Sequence, residues 1–179
     1  FPAWIDTAQL NAFSPAMRQF TIDTLRDIAS QCDGVRCDMA MLMMNEIFER
    51  TWGWAVAEDA PALDFWNEVI SAVRAGSPDF LFMAEVYWNL DYPLQQQGFD
   101  YTYDKVLYDR MVEGSVEGIR QHLLADVEYL KRTVHFIENH DEPRIANAVG
   151  VERSRPLAAM IMTVPGAVLL HDGQIVGRK

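Results

Sequence analysis

The spacing of apolar and polar positions along this chain alternates between two periods. In AFSPAMRQFTIDTLRDIASQ (12–31), Ile22, Leu25 and Ile28 recur at helical intervals behind Ser14 and Pro15, which predicts a helix with Ser14 as N-cap and Pro15 in its first turn. A short strand is expected next, from Gly34 to Asp38. Helical spacing returns in ALDFWNEVISAVRAGSP through Phe65, Val69, Ile70 and Val73, and stops at Gly76 and Pro78. DFLFMAEVYW (79–88) is a near-continuous apolar run, suited to a strand buried on both faces. GFDYTYDKV predicts a third strand, VEGIRQHLLADVEYL a helix, TVHFIENHD a fourth strand, RPLAAMIMTV a helix and GAVLLHD a fifth strand.

Strands that alternate with helices, each strand apolar along its length, argue for right-handed crossovers and a parallel sheet with helices outside. The class is therefore α/β. No internal repeat or low-complexity linker divides the chain, so residues 1–179 read as a single domain. Polar and reactive residues collect where the strands end: Asp38, then Glu85 with Tyr87, then Asn139, His140 and Asp141. In a (β/α)8 barrel that carboxyl edge carries the chemistry, and the opposite edge serves stability.

A length of 179 residues with half of them hydrophobic is enough for a real core. Fifteen Lys and Arg against 26 Asp and Glu leave a net charge of -11, the wrong sign for a phosphate backbone, so no nucleic-acid partner is expected. No stretch approaches the roughly 20 apolar residues of a membrane span. AAMIMTVPGAVLL (158–170) is broken by Pro165 and Gly166, so no membrane partner is expected and the chain reads as soluble. Its start, FPAWIDTAQL, has no charged leader ahead of an apolar run, so it does not read as a signal peptide. On an extended strand, Cys32 and Cys37 would stand roughly 16 Å apart, too far for a disulfide; with unpaired thiols, the expected location is cytoplasmic.

In CDGVRCDMAML (32–42), strand alternation puts Val35 and Cys37 on one face and Arg36 and Asp38 on the other. A cation beside a carboxylate lowers the carboxyl pKa and keeps it ionised, as a nucleophile must be. Glu85 lies among apolar neighbours, where desolvation raises a carboxyl pKa and lets it hold the proton of a general acid. Two carboxyls roughly 5 to 5.5 Å apart can run a double-displacement glycoside hydrolysis. Taken singly, Arg36 and Asp38 also read as a structural ion pair, Glu85 as a solvated strand end, and the Asn-His-Asp run as a turn or part of a metal site. The order and the shared strand-end position of all three carboxylates favour the chemical reading.

At these residues the chain resembles glycoside hydrolase family 13, the α-amylase family. GVRCD is similar to the family's fourth-strand motif G-x-R-x-D, FLFMAEVYW to its fifth-strand segment with the acid, and FIENHDEPR to its seventh-strand segment ending in N-H-D. PGAVLLHDGQIVG is similar to the eighth-strand segment. The resemblance implies a partial (β/α)8 barrel carrying strands 4 to 8, with strands 1 to 3 and the excursion after strand 3 outside the chain. It implies Asp38 as nucleophile, Glu85 as general acid/base and Asp141 as the carboxylate that grips the sugar in its distorted transition state. Arg36 would hold Asp38, and His140 and Tyr87 would contact substrate, an α-glucan or oligosaccharide.

Departures from the pattern also carry expectations. Many members place a Lys-His pair three and four positions after the nucleophile, supporting a structural calcium; here Met41 and Leu42 stand there, so no calcium of that kind is expected, and no cofactor or other metal. HDG replaces an aromatic pair in the eighth-strand segment, with His171 read as structural. Tyr87, Trp88 and Trp52 offer stacking surfaces for a sugar acceptor, which keeps a transglycosylase open beside a hydrolase. A non-catalytic relative is the competing class, and a metal hydrolase built on His140, Asp141 and Glu142 lacks a second histidine cluster. An incomplete barrel is expected to self-associate through its exposed sheet edges.

Overall fold

The computed structural model describes residues 5–178; residues 1–4, which open the FPAWIDTAQL stretch, and residue 179 lie outside the described residues. Five short strands carry the sheet: β1 (Gly34–Cys37), β2 (Leu81–Ala84), β3 (Tyr101–Tyr103), β4 (Thr133–His135) and β5 (Ala167–Val168). They lie side by side in chain order, and each neighbouring pair is parallel. Parallel neighbours cannot be joined by a tight hairpin, so helices make the crossovers. α1 (Pro15–Ala29) precedes β1; α2 (Asn45–Trp52) and α3 (Phe65–Arg74) lead to β2; α4 (Asp91–Gln96) leads to β3. α5 (Lys105–Glu113), α6 (Val116–Leu123) and α7 (Val127–Leu130) lead to β4, and α8 (Ile145–Ala148) and α9 (Val151–Ile161) to β5. A strand order that never reverses follows the wall of a barrel, unlike a doubly wound sheet with its switch point. The α/β reading with a parallel sheet and outer helices holds.

The strands are shorter than the apolar runs that predicted them, because several runs hand over to loops at the carboxyl edge. TVHFIENHD pairs only over Thr133–His135, and residues 136–141 form an extension beyond the sheet. VEGIRQHLLADVEYL is two helices: the Asp126 carboxylate accepts the backbone N–H of Glu128 at 2.8 Å and starts a new one. α9 begins at Val151, ahead of the RPLAAMIMTV stretch, with Pro156 inside it. Ser14 does occupy the N-cap of α1, but its side chain makes no capping bond.

In a parallel pair, residues in register point to the same side of the sheet. Arg36, Met83 and Tyr101 are partners along one row, which puts them on the inner face; Cys37, Ala84, Thr102 and Thr133 are partners along the next, on the face toward the helices. The helix side is sealed. Phe82, Ala84, Thr102, Thr133 and His135 are fully buried, and Phe82, Trp66 and Phe99 meet edge to face there. Burying one such phenylalanine contributes about 2 to 3 kcal/mol. The inner face is more open, with Leu81 47% exposed and Arg36 and Tyr101 half-buried.

Gly34 opens β1 because nothing larger fits: a Cβ there would stand 2.8 Å from the Leu81 Cβ and 2.9 Å from the Leu81 carbonyl oxygen. Arg18, a charged residue in an otherwise amphipathic helix, is buried in the gap between three helices. Its guanidinium donates to the Ala12 carbonyl at 2.7 Å, to Asn45 Oδ1 at 2.7 Å and to Glu68 Oε2 at 2.6 Å, tying α1 to α2 and α3.

Candidate active site

The register that aligns Arg36 with Met83 and Cys37 with Ala84 carries on past both strand ends: Glu85 N–H donates to the Cys37 carbonyl at 3.0 Å, and Ala40 N–H to the Glu85 carbonyl at 3.0 Å. Asp38 and Glu85, each the first residue beyond its strand, are thereby brought to the same edge. Arg36, two residues before Asp38 on the same face, lies between the two carboxyls. Its Nη1 donates to Asp38 Oδ1 at 2.6 Å, and its Nη2 stands 3.0 Å from Glu85 Oε1. The second contact is an ion pair whose angle falls outside hydrogen-bond geometry, so Nη2 is a buried donor without an acceptor. The Arg36 Nε donates to the Tyr103 hydroxyl at 3.2 Å.

The two carboxyls differ in environment. Glu85 is 3% exposed, whereas the Asp38 side chain is 75% exposed to the cleft. Burial pushes the Glu85 carboxyl above the usual carboxylate range; the Met39 N–H, at 2.9 Å from Oε2, and the Arg36 charge pull it down, and the charge of Asp38 with an Asp38 hydrogen bond raises it further. Met39 presents that N–H from a left-handed backbone with φ 44°, a conformation that costs a non-glycine residue about 1 kcal/mol or more. The Tyr87 hydroxyl stands 3.4 Å from Glu85 Oε1, and burial beside three carboxylates holds its phenol well above the ordinary range, so it remains a donor.

His140 and Asp141 arrive from the extension after β4. Asn139 is buried, and its Oδ1 accepts the backbone N–H groups of Asp141 and Glu142, both at 2.9 Å. That bends the chain so that His140 Nε2 meets Asp141 Oδ2 at 2.9 Å, with both side chains exposed. Two further carboxylates anchor the extension: Glu142 pairs with Lys105 Nζ at 3.2 Å, and the fully buried Glu138 takes Arg144 Nη1 at 2.8 Å and the Ile145 N–H at 2.7 Å.

A cleft of about 710 Å³ lies over this edge, within the usual size range of ligand pockets. Asp38, Glu85, Tyr87, His140 and Asp141 all line it, together with Trp52 and residues 6–10. Five of the six site residues read from the sequence thus face one space, and the sixth, Arg36, joins Asp38 to Glu85. Trp88 lines a separate cavity of about 230 Å³ with Lys105 and Asp109. Trp54 is largely exposed, its indole N–H on the Thr51 carbonyl at 3.0 Å. Met41 is fully buried in the core, its side chain without an oxygen or nitrogen, and among the described residues no group of three His, Cys, Asp or Glu is placed to hold a metal ion. Cys32 and Cys37 are free thiols. Among the described residues no helix is long and apolar enough to cross a membrane.

Tyr103, Glu138 and the Met39 N–H were not legible as parts of the site, whereas Asn139 was read with His140 and Asp141 at a strand end. Only Tyr103 had a signal, its place two residues after Tyr101 on a strand face that alternation could have assigned.

A parallel wall of strands in chain order, with carboxylates gathered at its carboxyl edge, defines part of a (β/α)8-type barrel with a candidate active site in the usual position. No family model matches the chain. It is 27% identical to α-amylase MalA of Haloarcula japonica over 185 residues, covering 98% of this chain and 25% of that protein. The α-amylase from H. orenii superposes with a TM-score of 0.73 at 19% identity, covering 98% of this chain and 37% of that one. Cyclic α-maltosyl-(1→6)-maltose hydrolase from Arthrobacter globiformis, in complex with maltose, superposes with a TM-score of 0.71 at 21% identity, covering 92% and 37%. The chain spans about a quarter of the length of its MalA relative. The resemblance read from the motifs holds as a likeness: the chain is similar to a portion of α-amylases and folds as a portion of their barrel.

Proposed function

We propose that the chain supplies the catalytic edge of an enzyme that cleaves α-glucosidic bonds of α-glucans or oligosaccharides with retention of configuration. The observation that carries this reading is one guanidinium, Arg36, shared between an exposed carboxyl, Asp38, and a buried one, Glu85, whose pKa burial raises, at the wall of a sugar-sized cleft.

Asp38 attacks the anomeric carbon from the cleft while Glu85 gives its proton to the leaving oxygen. Positive charge builds on the sugar ring in the oxocarbenium-like transition state, and the carboxylate of Asp141 at the cleft wall offsets it. His140, bonded to Asp141, and Tyr87, a phenol that keeps its proton, bind sugar hydroxyls. Bond cleavage leaves a glycosyl ester on Asp38 and an ionised Glu85. Glu85 then takes a proton from the water that attacks the ester, which restores both carboxyls. Arg36 supplies a fixed positive charge to whichever carboxyl is anionic at each stage. Stacking surface at Trp52 suits an acceptor sugar, and a sugar hydroxyl in place of water gives a transglycosylase from the same intermediate.

The test is proton NMR of the anomeric signals during maltooligosaccharide cleavage by the full-length protein that carries this sequence. The α-anomer appearing first is expected; the β-anomer first, or no turnover, overturns the proposal. Longer oligosaccharides in place of free sugar would assign the transfer reaction.

A further inference from the structure

We infer that Tyr103 is a positioning residue for the catalytic pair, acting through Arg36: it holds the guanidinium between Asp38 and Glu85. The inference rests on the functional reading above and extends it to a residue outside the four segments that carry the resemblance.

Arg36 has few fixed points. Nη2 faces Glu85 without hydrogen-bond geometry, so its pose is set by two other contacts, Nη1 on Asp38 at 2.6 Å and Nε on the Tyr103 hydroxyl at 3.2 Å. The guanidinium carbon also lies 5.5 Å from the centre of the Tyr103 ring, within reach of a cation–π attraction. Of these holds, the Asp38 one is temporary under the proposed mechanism, because a carboxylate that has become an ester loses its charge and much of its strength as an acceptor. Tyr103 is then the remaining hydrogen bond that orients the cation, beside its ion pair with Glu85, during the step in which Glu85 must act as a base.

The tyrosine is built to do this. It is buried, with its ring 5.4 Å from that of Phe136, which in turn stacks on Tyr108 at 5.4 Å. β3 and β4 hold its backbone through the Tyr103 and Val134 register. Alternation places Tyr103 with Tyr101 on the inner face, the face of Arg36, while Thr102 turns to the helix side and accepts the Gln95 side chain at 3.0 Å. A packed ring with a hydroxyl at its tip loses little entropy in fixing a long cationic side chain.

The experiment is Tyr103→Phe in the full-length protein, which keeps the ring and removes only the hydroxyl. Loss of a hydrogen bond to a charged group predicts a fall in kcat of about ten- to a hundredfold, with KM little changed. The pH profile separates positioning from packing. The ionisable groups facing Glu85 are Arg36 and Asp38 from the β1 edge and Tyr87 from its own loop. Activity is lost at high pH when the acid deprotonates, and the Arg36 charge favours that deprotonation, so a guanidinium that swings away moves the basic limb of kcat/KM to higher pH. Wild-type kcat with an unmoved limb overturns the inference. So does a fall in activity that follows a fall in thermal stability while the limb stays in place, since that is the signature of packing alone. A wild-type protein without glycosidase turnover sinks the functional reading instead; an active wild type beside an unaltered Tyr103→Phe sinks only this one.

Discussion

Replacing Asp104 with asparagine tests whether a buried charge network under the sheet holds the wall that carries the site. Asp104 follows β3 and is 3% exposed. Its Oδ1 accepts the Leu107 N–H at 3.0 Å and starts α5; its Oδ2 meets His122 Nε2 at 2.8 Å and His135 Nδ1 at 2.9 Å. The other His135 nitrogen lies 2.8 Å from the Pro165 carbonyl, so both ring nitrogens face acceptors, which favours the protonated imidazole, and the ring joins β3, β4 and the approach to β5. Burial pushes the Asp104 carboxyl up, but hydrogen bonds to His122 and His135 outweigh it and bring it down to about 2 from an ordinary 3.8. That difference corresponds to about 2 kcal/mol of stability. Because the folded value is the lower one, the stability is fully present above an ordinary aspartate pKa and lost as pH falls from about 4 toward 2. The His135 imidazole is shifted the opposite way: burial lowers it, and the Asp104 and Pro165 contacts prevail and raise it. Its contribution is full below the ordinary histidine value and is lost as pH rises through the raised one.

Asparagine keeps the acceptor for Leu107 and removes the charge. Urea denaturation of Asp104→Asn at pH 6 should show a loss of about 2 kcal/mol or more, shrinking at pH 3 and at alkaline pH. A loss under about 0.5 kcal/mol, the ordinary scatter of a neutral substitution, or one that is flat with pH, would refute the network as a source of stability.

Asp38→Asn in the full-length protein should lower kcat by several orders of magnitude with the circular dichroism unchanged; near-normal turnover removes Asp38 from its role. With Glu85→Gln, azide should restore activity on aryl glycosides whose leaving groups need no acid, and an absence of rescue counts against Glu85 as acid/base. Gly34→Ala must push β1 off Leu81 and should cost about 1 to 3 kcal/mol in thermal or urea unfolding; an unchanged midpoint would mean that the strands separate freely. β1 and β5 have no outer strand partner among the described residues, so the isolated 179-residue stretch should elute from size exclusion as concentration-dependent oligomers; a monomer at all concentrations refutes that.

The sequence alone determined what depends on neighbours in the chain. Period-two alternation placed Arg36 and Asp38 on one face, apolar flanks marked Glu85 for burial, and helical spacing located α1 and α3, because each is a property of a few consecutive residues. Strand lengths were overestimated where an apolar run continued into a loop: Phe136 and Ile137 are as buried as the strand before them, and burial, unlike ladder pairing, is all that a hydrophobic run reports. The tertiary structure decided what depends on register. Asp38 and Glu85 stand 47 positions apart in the chain, and only the pairing of Arg36 with Met83 brings them to one guanidinium. The Tyr103 hydroxyl on Arg36, 67 positions away in the chain, and the salt bridge of the buried Glu138 are polar contacts in a packed interior, where a partner is chosen by geometry and leaves no periodic trace in the sequence; the Asn139 turn, made to residues two and three positions on, is local and was among the readings of the Asn-His-Asp run.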